Sequence, residues 1–164
     1  MFFYGNYTNV DDIQTGNVVG VRMCLLSPCV SLVGMSSLRW NDWLAQAEND
    51  LEWGRASVDR GFYSQACFIA QQAAEKSLKA MAFKGGAEIV KSHSVKQIAL
   101  SLGLNGEIEK AAAVLDQYYI TARYPDGLPE GAPFQAFTLE QATLALELAQ
   151  MIVIRVRKKT GSKL

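Results

Sequence analysis

From Ser37 onward apolar residues recur at helical spacing, and before that point they do not. Trp40, Leu44, Ala47, Leu51 and Val58 fall in steps of three, four and seven, which places them on one helix face. Ser36 or Ser37 is placed to cap this helix, and Gly61 to end it. Gly54 lies inside it at a cost of ~1 kcal/mol relative to Ala, and so marks a candidate close contact between helices. A second helix is predicted over Tyr63 to Lys84, with Cys67, Ala70, Ala74, Leu78 and Met81 on one face and Ala66, Ile69 and Ala73 widening it. A helix lined with alanine lets its neighbours approach closely, which suits the centre of a bundle. Gly85-Gly86 stops it.

A short third helix follows His93: Ser94 and Gln97 have capping-box spacing, and Val95, Ile98 and Leu102 form its stripe. Ile108, Ala112, Leu115, Tyr119 and Ala122 predict one continuous fourth helix, which Pro125 forbids from continuing. Tyr124 to Pro133 holds three prolines and two glycines and reads as a loop. Thr138 and Gln141 then open a long last helix carrying Leu139, Ala142, Leu146, Ala149, Ile152 and Val156. No comparable β-alternation or internal repeat interrupts this region. The fold class is therefore all-α, an up-and-down antiparallel bundle of four to five helices over residues 36–160.

Residues 1–35 do not share the pattern, and we expect this extension to pack poorly, with Met35 a natural start for the domain. Val18 to Val33 is apolar but broken by Arg22 and Pro28, too short and too interrupted for a membrane span. Asp11 and Asp12 stand where a secretory signal would carry positive charge. These features point to a cytoplasmic protein with no membrane association.

With 164 residues the chain suffices for one stable core. Sixteen basic residues balance sixteen acidic ones, so the strong basic excess of a dedicated nucleic-acid binder is missing. Cys24, Cys29 and Cys67 do not form a Cys-x-x-Cys pair, and the single His93 cannot complete a metal set with them. No metal or cofactor is expected, and Cys67 reads as a small buried hydrophobe.

Three stretches go beyond periodicity: Ala66-Cys67-Phe68-Ile69-Ala70-Gln71-Gln72-Ala73-Ala74-Glu75-Lys76-Ser77-Leu78-Lys79-Ala80, then His93-Ser94-Val95, then Tyr118-Tyr119-Ile120-Thr121-Ala122-Arg123-Tyr124-Pro125-Asp126. In this order and spacing they resemble the HEPN domain, named for its occurrence in higher eukaryotes and prokaryotes and its link to nucleotide binding. The resemblance covers roughly residues 38–158. It implies a five-helix bundle, frequently a homodimer, often encoded beside a small nucleotidyltransferase, with several such pairs acting as toxin and antitoxin. The chain itself lacks a nucleotidyltransferase signature, so it would be the helical partner.

Ribonucleases of this family use an Arg followed, after four to six residues, by a His. The pair supplies a group titrating near neutrality and a cation for the charged phosphorane. After Arg123 the permitted positions hold Leu128, Pro129 and Glu130; before His93 they hold Gly86, Ala87 and Glu88. The motif is absent, and no catalytic residue is assigned.

The candidate ligand-binding residues are Glu75, Lys76, Lys79, His93, Tyr119, Arg123, Tyr124 and Asp126. Each has a plain structural reading beside the functional one. Glu75 and Lys79 are an i, i+4 pair on what reads as a mostly polar helix face, worth ~0.3–0.5 kcal/mol. His93 precedes a helix start, where its ring would serve the turn or line a site. Arg123 at a helix C-terminus satisfies the dipole; beside Tyr118, Tyr119 and Tyr124 it is equally placed to grip a phosphate and stack a base. Two functions follow: a non-catalytic module that dimerises and partners a nucleotidyltransferase, or a protein that binds a nucleotide or RNA near Lys79, His93 and Arg123. A ribonuclease toxin is a third.

Overall fold

The computed structural model describes residues 39–162, so the expectations for residues 1–35 and for capping by Ser36 or Ser37 lie outside the described part. Helix α1 spans Trp40–Asp59, α2 Tyr63–Lys84, α3 Val95–Ser101, α4 Glu107–Asp116 and α5 Tyr118–Thr121. A 3-10 turn at Pro125–Gly127 follows, then the short α6 at Pro133–Ala136 and the long α7 at Leu139–Thr160. Among the described residues there is no strand, and the architecture is the expected all-α antiparallel bundle.

Helix α2 is the axis of the bundle. It packs along α1 and α7 and also touches α3, α4, α5 and α6. Its composition explains the position: Ala66, Cys67, Ala70, Ala73, Ala74 and Ala80 are all inaccessible, so neighbours approach it from several sides at once. Larger side chains from the surrounding helices fill the space, led by Leu44, Ile98, Leu115, Ile152 and Val156, with Leu78 from α2 itself. Each such side chain contributes roughly 1.5–3 kcal/mol by leaving water.

Gly54 is a point of close approach between α1 and its neighbours. A Cβ built there would lie 2.5 Å from Leu146 Cδ2 on α7 and 2.9 Å from Ile69 Cγ2 on α2. A side chain here would force Leu146 or Ile69 to shift.

The ends of the helices follow the sequence signals closely. Gln97 N–H donates to Ser94 Oγ at the start of α3. Thr138 and Gln141 make the reciprocal capping box of α7, and Gly161 takes the left-handed conformation just beyond its last turn. One element differs from expectation. The fourth helix is divided at Gln117, with α5 a single extra turn carrying Tyr119 and leading into Arg123. No described helix is long and apolar enough to cross a membrane.

Candidate functional site

The glutamine-rich face of α2 is buried, which corrects the reading of Glu75 and Lys79 as lying on a mostly polar surface. Gln71, Glu75 and Lys79 follow one another at successive turns, and each is nearly inaccessible. Helical spacing alone assigns them to the outside, but the turn before α3 and helix α5 cover that side. Glu75 Oε1 accepts from Lys79 Nζ at 2.8 Å. Gln71 Nε2 donates to Glu75 Oε2 at 3.2 Å and to the His93 carbonyl at 3.1 Å. The pair is thus a buried ion pair with its remaining lone pairs served, a different object from an exposed i, i+4 bridge.

His93 is the point where this network reaches the surface. Its Nδ1 lies 3.1 Å from Glu75 Oε1, while its side chain is 59% exposed. A carboxylate only accepts, so the proton between them belongs to Nδ1. The turn is held from below by Asp116, whose carboxylate accepts from Ser94 Oγ and Val95 N–H, both at 2.6 Å, and from Lys96 N–H at 3.2 Å. Asp116 therefore caps α3 from the end of α4. Glu75 and Gln71 above and Asp116 below fix His93 in place.

Tyr119 stacks on the His93 ring, with centroids 5.5 Å apart and planes 13° from parallel. Arg123 lies over the same tyrosine: its guanidinium carbon is 4.6 Å from the Tyr119 centroid, 4.6 Å from that of Phe68 and 5.0 Å from that of Tyr124. Arg123 Nε donates to the Tyr119 carbonyl at 2.8 Å, which fixes the side chain. Contacts of this kind contribute about 0.5–2 kcal/mol each according to their exposure. Among the described residues no carboxylate pairs with Arg123. Its Nη groups keep donors that no described residue uses, and such donors suit a phosphate oxygen.

The fold thus gathers Glu75, Lys79, His93, Tyr119, Arg123 and Tyr124 into one patch. Lys76 and Asp126 stand apart from it. Lys76 turns toward α1, where it pairs with the buried Asp50, itself held by Gln46 at 2.7 Å. Asp126 is exposed in the 3-10 turn. Three contributors escaped the sequence reading: Gln71, Phe68 and Asp116. Asp116 carried no signal, because the sequence pattern runs the fourth helix on past it and only the structure places it at a helix end.

Elsewhere the surface carries clefts of a different kind. One of about 460 Å³ runs between α1 and α7, where Arg157 pairs with Glu48 and Arg55 pairs with Glu52. Its charges are internally matched. No cluster of three or more metal-ligating side chains occurs among the described residues.

The HEPN domain family model matches residues 40–159. Among solved structures, TT1696 from Thermus thermophilus is similar at 38% identity and a TM-score of 0.70, over 74% of this chain and 98% of that one. ST0689, described as an archaeal HEPN homologue, has 34% identity and a TM-score of 0.64 over 74% and 98% of the two chains. A HEPN domain protein of Thermotoga maritima, tm0613, has 27% identity and a TM-score of 0.60 over 74% and 99%. No curated protein matches.

Proposed function

Because this chain belongs to the HEPN domain family, we propose that it is a non-catalytic helical module that binds a nucleotide phosphate at Arg123, dimerises, and partners a small nucleotidyltransferase. The observation that carries the reading is the state of Arg123: stacked on Phe68, Tyr119 and Tyr124, fixed through Nε, and unmatched by a carboxylate among the described residues. A cation immobilised in this way binds an anion without losing side-chain entropy. Tyr124 is half exposed and offers a ring to a base. The partnership with a nucleotidyltransferase rests on the family and on the chemistry: a partner that transfers nucleotides meets a module that holds their phosphates. Such a pair, working in the cytoplasm, would be of the toxin–antitoxin kind.

Calorimetry with ATP and GTP tests the binding. The parent protein should bind and Arg123→Ala should not; no heat from the parent ends the nucleotide reading. Co-purification with a candidate nucleotidyltransferase tests the partnership, and a chain that ignores every candidate ends it.

One observation favours a second reading. His93 and Arg123 both pack on Tyr119, so a histidine and an arginine share one tyrosine although the ribonuclease spacing is absent from the sequence. If the purified protein cleaves RNA and His93→Ala does not, the module is a ribonuclease toxin.

A further inference from the structure

The patch around Tyr119 holds several charges, yet little of that charge is left over for a ligand. Lys79 is spent on Glu75 at 2.8 Å, and both side chains are almost inaccessible. Lys76 turns away to Asp50. Of the candidate cations Lys76, Lys79 and Arg123, only Arg123 has no carboxylate partner among the described residues. Its reach is narrow as well. Phe68, Tyr119 and Tyr124 all lie within 5.0 Å of the guanidinium carbon, and Nε is committed to the Tyr119 carbonyl. What remains is the pair of Nη groups, a fork that grips one phosphate through two of its oxygens.

The acids of the patch are equally committed. Glu75 Oε1 accepts from Lys79 and meets His93 Nδ1, Oε2 accepts from Gln71, and the residue is 4% exposed. Asp116 accepts three hydrogen bonds at the start of α3. Asp126 stands apart in the 3-10 turn. A nucleoside triphosphate is ordinarily held through magnesium on free oxygen ligands, with further donors on its β- and γ-phosphates. Among the described residues the patch offers one fork and no free carboxylate to hold that metal.

We propose that the ligand of this site is a nucleoside monophosphate bound without magnesium, its one phosphate on the Nη fork of Arg123 and its base on the ring of Tyr124. Tyr124 is half exposed, and its centroid lies 5.0 Å from the same guanidinium, so ring and fork are adjacent. Stacking on a tyrosine accepts any base, because every base has a π-face. The number of phosphates that find a partner therefore sets the class of ligand, and that number is one. The assignment rests on the nucleotide reading above and narrows its ligand.

Calorimetry on the full chain with AMP, ADP and ATP, each with and without magnesium, tests it at physiological salt. The three should bind within about fivefold of one another, because further phosphate charge left in water adds little attraction. Magnesium should strengthen none of them. Arg123→Lys should weaken all three by about tenfold or more, since a point charge replaces the fork. Adenosine and inorganic phosphate, each lacking one half of the ligand, should both bind more weakly than AMP. An affinity that climbs by about thirtyfold or more from AMP to ATP, or ATP that binds only with magnesium, overturns the monophosphate assignment and leaves nucleotide binding standing. Inorganic phosphate that binds as tightly as AMP overturns the part given to Tyr124. Silence from all three nucleotides overturns the assignment and the nucleotide reading together.

Discussion

Glu75 and His93, eighteen residues apart, meet at 3.1 Å through the carboxylate oxygen that also accepts from Lys79. This shared oxygen couples the interior of the bundle to its one surface histidine. Glu75→Ala should therefore do more than delete a contact, because it leaves Lys79 buried without a counter-charge. The expected loss is about 3–5 kcal/mol in urea unfolding. Replacing both partners by apolar residues of similar size, Glu75→Leu with Lys79→Met, should come close to the parent. A single variant as mild as the double would show that the pair is not desolvated.

Gly54→Ala should destabilise the protein even though alanine is the better helix former. The gain of about 1 kcal/mol in propensity is opposed by about 1–3 kcal/mol of overpacking against Leu146 and Ile69. A lower thermal midpoint for Gly54→Ala is the expected result; a higher one would mean that α1 moves away freely.

Asp116→Ala removes the acceptor of three hydrogen bonds at the start of α3. About 1.5–3 kcal/mol of stability should go with it, as for bonds to an ionised group. The His93 turn should also loosen, so amide exchange at Val95 and Lys96 should accelerate more than exchange within α7.

Burial pushes the Cys67 thiol up from 9.0 to about 12. Burial first, and Cys67 second, raise the Tyr118 hydroxyl as well. The folded thiol keeps its proton where an unfolded one has lost it. Cys67 therefore leaves stability intact below its unfolded value and subtracts from it as pH climbs toward the folded one. In peptide-resolved alkylation at about pH 8, Cys67 should stay unmodified in the native protein and react once urea unfolds it. Rapid modification of the native chain would show that α2 opens readily.

Much of the fold was legible because each helix carries its own punctuation. Tyr63 and Lys84 bound α2 as read, Ser94 and Thr138 cap as read, and the helical glycine Gly54 does mark a close approach. The division at Gln117 was not legible, since neither proline nor glycine stands there and the apolar spacing runs through it. Most of the residues that the fold gathers around Tyr119 were named from motif and residue type, but their environment was not. Whether Glu75 faces water depends on what lies over it, and the covering comes from a turn eighteen residues later and a helix beyond that. Phe68 was given no role by its position in the sequence, yet its ring lies under Arg123. Short-range pattern reports on the element that carries it; burial is set by elements distant in sequence.

Helix α2 is enclosed by α1 and α7 and touched by every shorter helix, with alanine at most of its contacts. Such a stretch has almost no freedom to drift, since nearly any replacement is larger than what it replaces. The crest of α7 is under no such restraint from the described residues, which leave it exposed. The architecture separates a conservative spine from a variable rim, so a lineage built on this frame can change its associates without reopening the question of how it folds.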